Sequence, residues 1–237
     1  MDTTQITDVW DRVVGTQPAP PSWLVVATGL VALAAVLPAG VWRVSRNVVT
    51  IAHEGGHGLV ALLTGRRLEG IRLHSDTSGL TVSRGRPTGL GMVLTAAAGY
   101  TAPSLTGLAG AWLLAAGHIT ALLWTATALL LALLVMVRNA YGVLSVLVTG
   151  GVFVTVSWLA VPQVQAVFAY AAVWFLLLAG VRPVLELHRG RRDGGAPDSD
   201  ADQLSRLTST PAWVWTGFFL VVALCSLTGG GRWLLAL

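Results

Sequence analysis

Long apolar runs separated by short polar breaks dominate the pattern along the chain. Residues 1–21 are polar and end in Pro18, Pro20 and Pro21, which stop any helix before the first run. Residues 22–42 form an apolar run of spanning length, since about 20 residues cross the hydrocarbon core. Trp23 and Trp42 bracket it as interfacial anchors, and Arg43 and Arg46 follow. A second run, residues 47–65, closes at Arg66 and Arg67. Residues 68–86 change period: Ile71, Leu73, Leu80 and Val82 alternate with polar positions around Ser75-Asp76-Thr77-Ser78-Gly79, which predicts a β-hairpin. Residues 88–116, rich in Gly, Ala, Thr and Ser, predict one tilted or broken helix that bends at Pro103 and packs closely among its neighbours. Residues 119–137, 141–160 and 163–181 read as further spans, interrupted at residues 138–142 and at Pro162. The polar stretch 182–210 precedes a last span that opens with Trp213 and Trp215.

The pattern therefore predicts an all-α, multi-pass transmembrane bundle of six or seven helices with one small β-hairpin. Its organisation is a polar N-terminal segment (1–21), a transmembrane core (22–181) carrying the hairpin 68–86, a polar loop (182–210) and a C-terminal transmembrane helix (211–237).

Composition sharpens this. The chain is 54% hydrophobic and 11% charged, against about 25% charged in soluble domains, and its mean hydropathy is +0.70. The net charge of +4 comes from arginines at helix ends and in the polar loop, their ordinary place in a membrane protein, so nucleic acid is not an expected partner. The single cysteine, Cys225, excludes an intrachain disulfide and a Cys-rich zinc knuckle. Asp2, Asp8 and Asp11, with no basic segment before an apolar core, argue against a secretory signal; the first run reads as a retained helix.

The chemistry lies in the second run, where His53-Glu54-Gly55-Gly56-His57 fits H-E-x-x-H. Positions four apart share a helix face, so His53 and His57 can hold one ion. Imidazole nitrogen binds zinc at about 2.0–2.1 Å, and zinc makes hydroxide available near neutral pH. Glu54, beside the first ligand, is the candidate general base. The chain has five His and three Glu, and two His and one Glu fall in this pattern. Ionisable groups at membrane depth are costly and mark function. The plainer reading, polar residues satisfying one another in a bundle, leaves Gly55, Gly56 and Gly58 unexplained, since each costs about 1 kcal/mol of helix propensity relative to Ala. Their use is to bring a neighbouring helix or a substrate backbone close.

A membrane helix carrying HEGGH resembles the site-2-protease group of intramembrane zinc metallopeptidases. The order of apolar helix, HExxH helix, hairpin and small-residue helix over residues 22–142 is similar to theirs, and residues 182–237 look like those of bacterial peptidases in that group. The resemblance implies a Zn2+ cofactor, a membrane-protein or peptide substrate cut within or beside the bilayer, and residence in a bacterial plasma membrane. A regulatory membrane partner stays open. The group takes its third ligand from an Asp-Gly motif on a later helix. Here no Asp stands between Asp76 and Asp193, and the corresponding region reads Asn139-Ala140-Tyr141-Gly142, whose neutral amide is a poor zinc ligand. Asp200 is the first choice for the carboxylate, with Asp202 and Glu186 as alternatives, while Asp200 reads equally well as the N-cap of a helix starting near Asp202. His74 and Asp76 read as a solvated turn or as groups above the site. The hairpin edge can receive an extended substrate by strand addition. A second reading, an inactive scaffold or chaperone with a metal-like site, draws on the missing Asp. A transporter with a His/Glu relay is the third, and lacks the expected repeat.

Overall fold

The computed structural model describes residues 10–11, 13–194 and 198–236. Asp2 and Asp8, and the Gly195 of the polar stretch, lie outside the described residues. The elements in chain order are α1 (Ser22–Val36), α2 (Ala39–Leu63), β1 (Arg67–Leu73), β2 (Gly79–Arg84), α3 (Leu90–Ala115), α4 (Ile119–Met136), α5 (Ala140–Leu159), α6 (Pro162–Ala179), α7 (Val181–Arg192), α8 (Asp200–Thr208) and α9 (Ala212–Leu234).

The single span expected over residues 22–42 is not formed. Pro38 lacks an N–H and disfavours a helical residue before it, and α1 and α2 meet there at 103°. With 15 residues, α1 is about 22 Å long, short of the roughly 30 Å core. Arg182 donates to the carbonyls of Val36 and Leu37, which satisfies the helix end exposed by the break. Among the described residues, α4, α5, the continuous stretch Pro162–Arg192 and α9 are long and apolar enough to cross a membrane, and the bent α1–α2 pair makes a fifth. This is fewer than the six or seven expected. The small-residue helix α3 packs against α2, α6, α8 and α9, as its Gly, Ala, Thr and Ser content predicts. It runs through Pro103 as one helix.

The glycines around the histidines of α2 allow close approach by different neighbours. A side chain at Gly56 would overlap Ala102 of α3, and one at Gly58 would press on Ile71 of β1. The hairpin forms, with Ile71 opposite Thr81 and Leu73 opposite Gly79, but the apolar alternation holds only on β1: Ile71 and Leu73 are buried, while Leu80 and Val82 of β2 are exposed. Its β1 edge is covered: Val137 bridges Ile71, and Asn139 pairs with both backbone groups of Leu73. Among the described residues no strand pairs with the other edge of β2. The stretch 182–210, read as a polar loop, is largely helical. Buried Val184, Leu187, Ala201, Leu204 and Phe219 join α7, α8 and α9 to Ala96 of α3, and this apolar seam is what brings the acidic start of α8 to the middle of the bundle.

Candidate metal centre

One turn of α2 separates His53 from His57, and their Nε2 atoms lie 3.2 Å apart. Asp200 Oδ2, from the first turn of α8, is 3.2 Å from each of them. A tetrahedral zinc site with bonds of about 2.0 Å has ligand atoms about 3.3 Å apart, so the triangle has the right edge. His57 Nδ1 hydrogen-bonds the Thr95 carbonyl at 2.7 Å. A carbonyl only accepts, so Nδ1 carries the proton and, in the neutral ring, Nε2 presents its lone pair. Asp200 Oδ2 is buried without a hydrogen-bond donor. An anion and an imidazole lone pair crowded together in a buried place call for a cation, and two nitrogens with one oxygen are a donor set zinc accepts. No other group of three or more His, Cys, Asp or Glu side chains is drawn together this way among the described residues.

Local sequence explains why Asp200 is at liberty. Ser199 is the N-cap of α8, and Asp202 completes a capping box with it. Asp202 Oδ2 accepts from the Ser199 N–H at 3.2 Å and its hydroxyl at 2.7 Å, and Oδ1 accepts from Arg191 at 2.5 Å. The cap is therefore Ser199 and not Asp200, whose side chain faces the histidines. Partial burial works against ionising Asp202, yet Arg191 and Ser199 hold its carboxyl below the usual range. The other carboxylate alternatives are engaged elsewhere. Glu186 accepts from Trp42 Nε1 at 2.8 Å and pairs with Arg182 at 3.0 Å and Arg46 at 3.4 Å. Asn139 serves the β1 edge. Asp76 closes its own turn by accepting from Ser78, which holds its carboxyl low.

Glu54 is buried, and its Oε2 accepts from Thr81 Oγ1 at 2.6 Å. Gly79 lies against the same carboxylate, where any side chain would overlap it. A cavity of about 420 Å³ opens here between α2, the β2 edge and α8, with His53, Glu54, His57, Thr81, Asp200 and Gln203 in its wall. Thr81 and Thr95 were not singled out by the sequence. The period-two pattern hid Thr81, since the apolar Leu80 and Val82 marked the opposite face of β2 as the inward one, and it is Gly79 and Thr81 that turn toward α2. Thr95 acts through its carbonyl, which no side-chain pattern reveals.

Residues 26–230 match the model of the family described as Peptidase M50B-like. The chain belongs to that family, a site-2-protease-type domain. No curated protein matches it, and no solved structure does. The matched stretch of this Peptidase M50B-like protein includes both α2 and α8, and so all three residues of the triangle. Membership and the apolar helices make it a membrane protein of metallopeptidase kind.

Proposed function

We propose that this protein is an intramembrane zinc metallopeptidase that cuts peptide bonds of membrane-associated substrates. In this reading His53, His57 and Asp200 hold Zn2+, and Glu54 is the general base. The observation that carries it is the meeting of three ligand atoms, each 3.2 Å from the other two, at the edge length of a zinc tetrahedron. A zinc ion bound there supplies a Lewis acid for the scissile carbonyl and hydroxide at neutral pH. Glu54 takes a proton from the attacking water and gives it to the leaving amine, as the water oxygen joins the carbonyl carbon and the C–N bond breaks. Thr81 holds Oε2, which fixes the carboxylate and leaves Oε1 for the proton. Gly79 and Thr81 of β2 lie against Glu54, and in this reading the substrate adds as a strand to the edge of β2 that no described strand uses, and so arrives unwound near the base. The substrate is a membrane protein or peptide, the bilayer is the other partner, and a bacterial plasma membrane is the proposed home.

Glu54→Gln is expected to keep zinc, measured by metal analysis of the purified protein, and to lose about 10²–10⁴-fold of its cleavage rate on a membrane-anchored reporter peptide. Undiminished cleavage by that variant would remove Glu54 from the mechanism. The scaffold reading predicts a different pattern, in which wild-type protein holds zinc and cuts nothing. Its basis was the missing later Asp, a place that the present reading gives to Asp200.

A further inference from the structure

We infer that Gly99 is a positioning residue for the His53–His57 pair: its lack of a side chain is what allows the two Nε2 atoms to converge on one ion. The inference rests on the zinc reading above and concerns a residue outside the ligand set.

Helix α3 supplies no ligand, yet it forms the wall behind both imidazoles. Thr95 and Gly99 are four apart and share a face. The Thr95 carbonyl holds His57 Nδ1. The ring of Tyr100 meets His53 edge-on at 4.9 Å and stacks at 5.1 Å on Phe219, which is fully buried. Gly99 lies between these two supports. A Cβ there would sit 2.6 Å from His53 Nε2, 2.6 Å from His57 Cε1, and closer still to His57 Nε2. Carbon atoms in comfortable contact stand about 3.5–4.0 Å apart. Neither ring can retreat freely, since one is tethered to Thr95 and the other is backed by Tyr100. The helices cannot separate either, because Gly56 of α2 already lies against Ala98 and Ala102 of α3. A methyl group at 99 must therefore spread the nitrogens and break the 3.2 Å edge. A bare position costs about 1 kcal/mol in a helix relative to Ala, so helix stability alone would favour Ala there.

The test compares purified wild type, Gly99→Ala and Gly151→Ala, the last at a position with nothing within 4 Å of its added carbon. Zn2+ affinity is measured by competition with a chromophoric chelator, and ligand geometry by the visible spectrum of the Co2+-substituted protein. Gly99→Ala is expected to lose about 10–100-fold in zinc affinity and to change the cobalt spectrum, while Gly151→Ala matches wild type. A folded Gly99→Ala that binds zinc like wild type overturns the inference and leaves the zinc reading intact. Wild type that takes no zinc through His53 fails the zinc reading itself. Should Gly99→Ala fold poorly, a thermal cycle decides. Its loss of Tm should vanish in a His53→Ala/His57→Ala background, where no rings remain to collide, and an equal loss in both backgrounds refutes the collision.

Discussion

At the scale of single residues, each imidazole and the carboxylate is held by a different kind of support. His57 is oriented by a backbone carbonyl, His53 by an aromatic edge, and Asp200 by a capping box that does not use its own side chain. Outer supports of this sort fix tautomer and ring angle, and their loss costs affinity. The two neighbouring aspartates of α8 should then separate cleanly. Asp200→Asn keeps size but removes the charge, and zinc affinity measured by chelator competition should fall by at least about 10-fold. Asp202→Asn weakens the cap, worth about 0.5–2 kcal/mol, and should lower Tm more than zinc affinity.

Among elements, α8 is the informative one. It has nine residues, too few to stand alone in water, and holds its place through the Leu204 and Ala201 seam and through Arg191, which reaches back from the end of α7 to Asp202 and Ser199. Arg191→Met keeps the aliphatic stem and removes that clamp. Zinc affinity should fall several-fold although Arg191 lies outside the triangle, and binding isotherms of the two proteins check it. The carboxyl of Asp202 is depressed in the folded chain, so its contribution to holding α8 is full above the ordinary carboxylate range, near about 3.9, and fades as pH falls through the lower folded value. Thermal melts between neutral and mildly acidic pH should thus show no loss that Asp202→Asn abolishes.

Over the whole molecule, the bend between α1 and α2 is tied to the far end of the chain. Glu186 of α7 collects Trp42, Arg46 and Arg182, and Arg182 caps the broken end of α1 while lying 4.7 Å over the Trp42 ring. Glu186 was among the sequence candidates for a ligand; its work in the fold is to neutralise two arginines at the bend. Exposed pairs are worth roughly 0–1 kcal/mol and buried ones about 3–5 when broken. Glu186 is partly buried, so Glu186→Ala should cost about 1–3 kcal/mol, read as an earlier thermal unfolding in detergent, with zinc stoichiometry unchanged in the folded fraction.

Much of this protein is set by sequence alone, because its signals are local. The apolar runs, the period-two hairpin and the i, i+4 spacing of His53 and His57 each follow from backbone geometry within a few residues. The place of the first break did not follow, since α1 ends before Pro38, inside the first apolar run, and α2 continues through Arg43 and Arg46 as one helix at 103° to it. Nor did the partner of the histidines. Asp200, Asp202 and Glu186 look alike as letters, and only the folding of α8 onto α3 chose which carboxylate came within 3.2 Å of both rings. Tertiary packing alone decides such a choice, because it depends on distances between segments about 150 positions apart along the chain.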